Sequence, residues 1–160
     1  MTEAEKRAHR CCFLGTMPGP RPVDDVKVAL ENRILEAIKE GYTTFITGMV
    51  YGPEIWAGNI VVRLRRENKK LRLIAAVPFE GFEERWSGQW AEDYAALLKQ
   101  ADKVMYLEKT KTRDSYRKRN EWAVNHSSCV IAVTDAKSEG LKASLAFARK
   151  QKIKVVTMAG

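Results

Sequence analysis

Gly41-Tyr-Thr-Thr-Phe-Ile-Thr-Gly-Met-Val-Tyr-Gly-Pro-Glu-Ile-Trp-Ala57 holds a β-branched and aromatic run, a loop bounded by Gly48 and Gly52, and a proline that opens a helical stretch. Thr, Ile and Phe fit a pleated surface, so Thr43–Thr47 is predicted as a strand. Pro53 suits the first turn of a helix, where its missing N–H has no intrahelical acceptor to lose. Strand, glycine turn and helix in so short a span form the unit from which parallel sheets are wound.

The same unit recurs outward from this stretch. Upstream, Arg10–Gly15 reads as a strand, and Asp24 or Asp25 caps a helix whose apolar positions are Val28, Ile34, Leu35 and Ile38, stopped at Gly41. Downstream, a helix from Pro53 to about Asn68 precedes the strand Leu71–Val77, an apolar run broken by Pro78. A helix near Gln89–Gln100, a strand at Lys103–Leu107 and a helix over roughly Ser115–His126 follow. The series closes with the strand Cys129–Val133, the helix Glu139–Gln151 and the strand Lys154–Met158, with no internal repeat. Alternation of this kind predicts an α/β fold: a Rossmann-like, doubly wound parallel sheet with helices on both faces. One domain over residues 1–160 is expected, with residues 1–9 as a flexible N-terminal extension.

Such folds bind ligands at the carboxyl ends of the strands, near the point where strand order reverses. The loops to search are therefore Gly15-Thr-Met-Pro-Gly-Pro-Arg-Pro22 and Gly48-Met-Val-Tyr-Gly-Pro-Glu54. Glycine admits close approach of backbone to ligand, and a helix N-terminus presents free amides to an anion. Two such loops side by side would make a phosphate cradle. The second is neither a Walker A loop nor a GxGxxG turn.

Composition narrows the class. The chain is 45% apolar and 30% charged, as in a globular protein rather than a disordered one. No apolar run approaches the roughly 20 residues that span a bilayer, and MTEAEKRAHR lacks the apolar core of a secretory signal, so a cytoplasmic location without a membrane partner is expected. Three cysteines without a CxxC pair, and histidines only at positions 9 and 126, offer neither a disulfide framework nor a metal site. The cysteines are expected in the core, with Cys11 and Cys12 on opposite faces of their strand.

A formal net charge of +8 permits a polyanionic partner without requiring one. The basic residues cluster at Arg63–Arg72, Lys109–Arg119 and Lys137–Lys154, with Glu67, Asp114 and Glu139 among them. The first and third clusters fall on the polar faces of helices and their ends; the middle one fills a loop and a helix start. Weak, non-specific nucleic-acid binding at low salt is the expectation. Glu54 could accept from a ribose diol, act as a general base, or complement its helix dipole. Arg119-Asn120 could hold a phosphate and a sugar edge, and Arg21 a phosphate. Trp56 is assigned to the core, whereas Phe82, Trp86 and Trp90 form an aromatic patch that suits a lid or a homodimer contact.

The Gly41–Ala57 stretch, followed by Leu73-Ile-Ala-Ala-Val-Pro-Phe-Glu80, Ala101-Asp102, Arg119-Asn120 and Val130-Ile-Ala-Val133, resembles the YpsA-like branch of the SLOG superfamily. The resemblance runs from Cys12 to about Val156. It implies a modified Rossmann fold that binds nucleotides or nucleotide-derived ligands, with the LOG phosphoribohydrolases and the DNA-processing protein DprA as relatives. Gly48, Gly52 and Glu54 correspond to the family's phosphate and sugar loop, and Arg119 and Asn120 to its Arg-Asn pair. The family's first loop usually reads Gly-His-Arg-Pro; here Thr16 follows Gly15, and Arg21-Pro22 comes later. Its usual Gly-Gly-Thr after the fifth strand is replaced by Asp135-Ala-Lys-Ser-Glu-Gly140. The LOG signature and its catalytic glutamate are absent.

The resemblance therefore implies an ADP-ribose-like ligand bound by Gly15, Thr16, Arg21, Gly48, Gly52, Glu54, Arg119, Asn120, Asp135 and Gly140, with no other cofactor and no metal. Two competing readings accompany it: a nucleotide N-glycoside hydrolase of LOG type with Glu54 as the catalytic residue, and a DprA-like single-stranded DNA-binding module. Whether the ligand is turned over is left open.

Overall fold

Six strands, β1 (Arg10–Gly15), β2 (Thr44–Thr47), β3 (Arg72–Phe79), β4 (Lys103–Glu108), β5 (Cys129–Thr134) and β6 (Lys154–Ala159), form one parallel sheet in the order β4-β3-β2-β1-β5-β6. The computed structural model describes residues 1–16, 19–135 and 137–160. The helices are α1 (Glu3–Ala8), α2 (Val23–Lys39), α3 (Pro53–Arg65), α4 (Gly88–Gln100), α5 (Ser115–Asn125) and α6 (Glu139–Lys150).

Topology distributes the helices. From β1 to β4 the chain steps one way across the sheet; it then returns to place β5 and β6 on the far side of β1. Parallel crossovers are right-handed, so reversing the direction of travel moves the connecting helices to the opposite face. Accordingly Val26, Leu30 and Ile34 of α2, Ile55 and Val61 of α3 and Leu97 of α4 share one core with Phe13, Phe45 and Val77. Ala123 and Val124 of α5 and Leu141 and Leu145 of α6 pack with Leu14, Ile46 and Val130 in the other. The period-2 alternation of strand side chains feeds both layers. Cys11 and Cys12 fall into different cores, and all three cysteines are buried free thiols. Burial pushes the Cys12 thiol up to about 12.

Three expectations shift in detail. α2 is capped at Pro22, and Asp24 and Asp25 occupy its first turn, where carboxylates suit the dipole. Its buried stripe is Val26, Leu30, Ile34 and Ala37, leaving Val28 and Leu35 exposed. β3 continues through Pro78 to Phe79. The register with β2 ends with Thr47 opposite Ala75, and the register with β4 passes over Pro78, pairing Val77 with Tyr106 and Phe79 with Glu108. The donor missing at Pro78 thus falls beyond the last β2 partner, where proline is tolerated. The third concerns residues 1–9, expected as a flexible extension, which carry α1. Its Arg7 donates to the Ser127 carbonyl at 3.1 Å. No helix among the described residues is long and apolar enough to cross a membrane.

Candidate functional site

Strand order reverses at β1, which lies between β2 and β5. At its carboxyl end Gly15 stands opposite Val133, and the Thr16 N–H donates to the Val133 carbonyl at 3.2 Å. The predicted site residues gather around this point in two groups, one interior and one open.

The interior group centres on Glu54, in the first turn of α3 and only 3% exposed. Its Oε1 accepts from Arg119 Nη1 at 3.1 Å, and Arg119, on α5, is equally buried. Backbone N–H groups of Val50, Gly15 and Gly48 also point at this carboxylate. Burial raises the Glu54 pKa, and Arg119 and these amides offset that only in part. The amides at the ends of β1 and β2, which a Rossmann-type site would offer to a phosphate, are thus engaged by a carboxylate of the chain itself.

The Gly48–Gly52 loop is built around this pair. A Cβ at Gly48 would overlap the Arg119 guanidinium and the Glu54 carboxylate. Gly52, at φ 97°, turns the chain into α3, and its position has the left-handed conformation that glycine accommodates. The Thr47 hydroxyl donates to the Glu54 carbonyl at 2.8 Å and accepts from Met49 N–H at 3.3 Å, holding Met49 at φ 65°. A Cβ at Gly15 would come within 2.8 Å of Pro53 Cβ, so glycine there lets α3 start against β1. Asn120 completes the network, accepting from Arg119 Nε at 2.8 Å and donating to Ser144 Oγ of α6 at 3.0 Å.

The open group lines a groove of about 480 Å³ at the ends of β5 and β6, where Arg21, Asp135 and Lys137 meet Thr157 and Gly160. Arg21 donates one N–H to the Ala159 carbonyl at 3.0 Å. Asp135 Oδ1 accepts from Lys137 N–H at 2.8 Å and Ser138 N–H at 3.3 Å, and these amides hold its carboxyl below the usual range. Between the two groups, Thr16 Oγ1 is buried with no hydrogen-bond partner among the described residues. Ser138 caps α6 through Leu141 N–H. Gly140, in the first turn of α6, has open space where a Cβ would go and does not line the groove. The parts of the two expected loops at Met17, Pro18 and Ala136 lie outside the described residues.

Sequence reasoning passed over Lys137 and Ser144. Lys137 was legible as the cation following the fifth strand, yet it read as part of a solvated cluster; Ser144 gives no signal without the tertiary contact. Of the aromatic patch, Phe82 is fully buried, whereas Trp86 and Trp90 are half-buried and pack edge-on against Tyr51 at 4.7 and 4.9 Å between ring centres. The middle basic cluster is partly neutralised within the chain. Arg117 pairs with Asp114 and Glu121, Lys118 with Glu108, and Arg119 with Glu54. Among the described residues no group of three His, Cys, Asp or Glu side chains is placed to hold a metal ion.

The family model described as the YspA SLOG family matches residues 20–158. UPF0398 proteins of Bacillus cereus (strain B4264) and Bacillus thuringiensis (strain Al Hakam) are each 28% identical over 142 residues, 87% of this chain and 77% of theirs. Among solved structures, DNA processing protein A from Helicobacter pylori, described with its single-stranded DNA binding mode, superposes with a TM-score of 0.66 at 17% identity. That match covers 99% of this chain and 68% of the other. DprA from Streptococcus pneumoniae gives a TM-score of 0.62 at 15% identity, over 96% of this chain and 51% of its own. At such identities the structural matches speak for the fold.

Proposed function

The chain belongs to the YspA SLOG family, and we propose that it binds a nucleotide or nucleotide-derived phosphate ligand in the groove at the carboxyl ends of β5 and β6. The observation that carries this reading is the convergence of Arg21 and Lys137 in a groove at the carboxyl ends of the strands, where doubly wound sheets receive ligands. Its volume, about 480 Å³, falls within the range of small-molecule sites. Arg21 keeps further N–H donors beyond the one given to Ala159, and Lys137 adds a point charge, so the two suit a phosphate. Asp135 repels phosphate and suits the hydroxyls of a sugar.

In this reading Glu54 and Arg119 are positioning residues. They tie the ends of β1 and β2 to α3 and α5, apart from the residues that line the groove, and touch no ligand. A carboxylate this buried and ion-paired lacks the reach of a general base toward a sugar in the open groove. The geometry therefore favours binding without glycoside cleavage.

Thermal denaturation against a nucleotide panel tests the proposal. Ligand at about 100 times its Kd adds about 2.7 kcal/mol, which raises Tm by roughly 5–11 °C in a domain of this size. Lys137→Glu and Arg21→Glu are expected to abolish the shift without lowering the unliganded Tm. Single-stranded DNA carries the same phosphate chemistry, so the panel includes oligodeoxythymidylate. No shift at millimolar concentration across the panel counts against the reading.

A further inference from the structure

The opposite end of the sheet carries a denser field of cations than the groove. Two adjoining clefts open at the amino ends of the strands, of about 470 and 480 Å³, and they share Arg72 and Asp102. Arg65, Arg66 and Lys69 line the first; Lys6, Arg10 and Lys103 line the second. Among the described residues the only carboxylate lining either is Asp102, which pairs with Arg65 at 2.6 Å and accepts from Leu73 N–H. Residues far apart in sequence, from α1, β1, the end of α3, β3 and β4, are thus collected on one edge. The Arg63–Arg72 cluster, expected to be a solvated helix face, is half of this array.

We propose that this amino-terminal edge is a second binding surface, one that takes the phosphodiester backbone of a nucleic-acid strand. Arg10 is spoken for by Glu3, and Arg72 donates to the Lys69 and Leu71 carbonyls at 2.7 and 2.9 Å, which fixes its guanidinium along the rim. Lys6, Arg66, Lys69 and Lys103 are exposed and, among the described residues, form no ion pair within the chain, so they are available for phosphates. Several cations spread over two contiguous concavities match a run of phosphates better than a single phosphate group. Concave walls disfavour a flat lipid surface. Among the described residues no Phe, Tyr or Trp lines either cleft, so no base stacks there, and binding follows the backbone with little preference for sequence.

Fluorescence anisotropy with a labelled oligodeoxythymidylate and a mixed-sequence duplex, over 50–200 mM salt, tests the proposal. With about four phosphates neutralised, log affinity falls against log salt with a slope near −3.6 on the duplex, roughly a hundredfold loss across that range. Arg66→Glu combined with Lys69→Glu, both at exposed positions, is expected to weaken binding at least tenfold at 50 mM salt and to bring the slope to about −1.8. Lys6→Glu combined with Lys103→Glu provides an independent second variant. Lys109→Glu combined with Lys111→Glu, on the exposed loop after β4, is expected to change affinity less than twofold. Absence of binding at 50 mM salt overturns the proposal, as does loss confined to the Lys109/Lys111 variant or tighter binding to anionic vesicles than to either oligonucleotide. The amino-edge variants retain any nucleotide-induced thermal shift, so failure here and failure of the groove reading are told apart.

Discussion

Arg119 of α5 and Glu54 of α3, 65 residues apart in the chain, form a buried ion pair of 3.1 Å that joins the helical layers on opposite faces of the sheet. Removing one partner of such a pair leaves an uncompensated charge and costs about 3–5 kcal/mol, whereas removing both costs far less. Arg119→Met is therefore expected to lower Tm by roughly 6–20 °C. The double variant Arg119→Met/Glu54→Gln should recover most of that loss. Equal losses in the single and double variants, read by urea or thermal unfolding, would show that the pair is not energetically coupled.

Glu54 also sets a pH dependence whose sign follows from its surroundings. Burial raises its pKa above the ordinary Glu value, so the folded chain holds this proton to higher pH than the unfolded chain does. Its contribution is fully present below the unfolded value, about 4.3, and is lost as pH rises through the folded one. Glu108 and Asp135 act in the opposite sense, because hydrogen bonds hold their carboxyls low, but a difference between two variants cancels them. The stability of Glu54→Gln minus that of wild type should therefore climb as pH rises above about 4. A flat or falling difference in urea titrations would contradict the assignment.

Strands and helices were legible because their signals are local. The runs at Cys129–Val133 and Thr43–Thr47 declare themselves in a few residues, and Pro53 marks the start of α3 by its own backbone chemistry. The reversal at β1 and the two-faced layering follow from the alternation. Inside the site, sequence placed Gly48, Glu54 and Arg119 near one another but turned them toward a ligand. The inward turn depends on α5, over the opposite face, bringing Arg119 to Glu54 at the start of α3, and no spacing encodes that. Pro78 was misjudged for a similar reason: whether a missing N–H matters depends on where the neighbouring strand stops. The cations of the amino edge come from five separate elements and meet only in the fold.

Gly48 and Gly140 separate steric need from mere occurrence. Alanine at Gly48 would drive a methyl into the Arg119–Glu54 pair, so Gly48→Ala is expected to destabilise by about 3 kcal/mol or more, like loss of the pair itself. Alanine at Gly140 meets nothing within 4 Å and stands in a helix, where it gains up to about 1 kcal/mol over glycine. Gly140→Ala should thus be neutral or stabilising and leave any nucleotide shift intact. A stability loss above about 1 kcal/mol in Gly140→Ala would mean that the N-terminus of α6 needs the freedom of glycine.

Asn120 links the ion pair to α6, and its two hydrogen bonds can be separated by substitution. Ser144→Ala removes only the acceptor of Asn120 Nδ2, a bond at the half-buried rim, and is expected to cost about 1 kcal/mol. Asn120→Leu removes that bond and also strips the partner from Arg119 Nε, a buried charged donor, so about 2–4 kcal/mol is expected. Adding Ser144→Ala to Asn120→Leu should then cost almost nothing, because the Ser144 hydroxyl has already lost this partner. If the groove reading holds, Ser144→Ala keeps the full nucleotide-induced rise in Tm, since Ser144 braces the interior network and lines no part of the groove. Additive losses for Asn120→Leu and Ser144→Ala in denaturant titrations would break the chain from Glu54 to α6 at its last link.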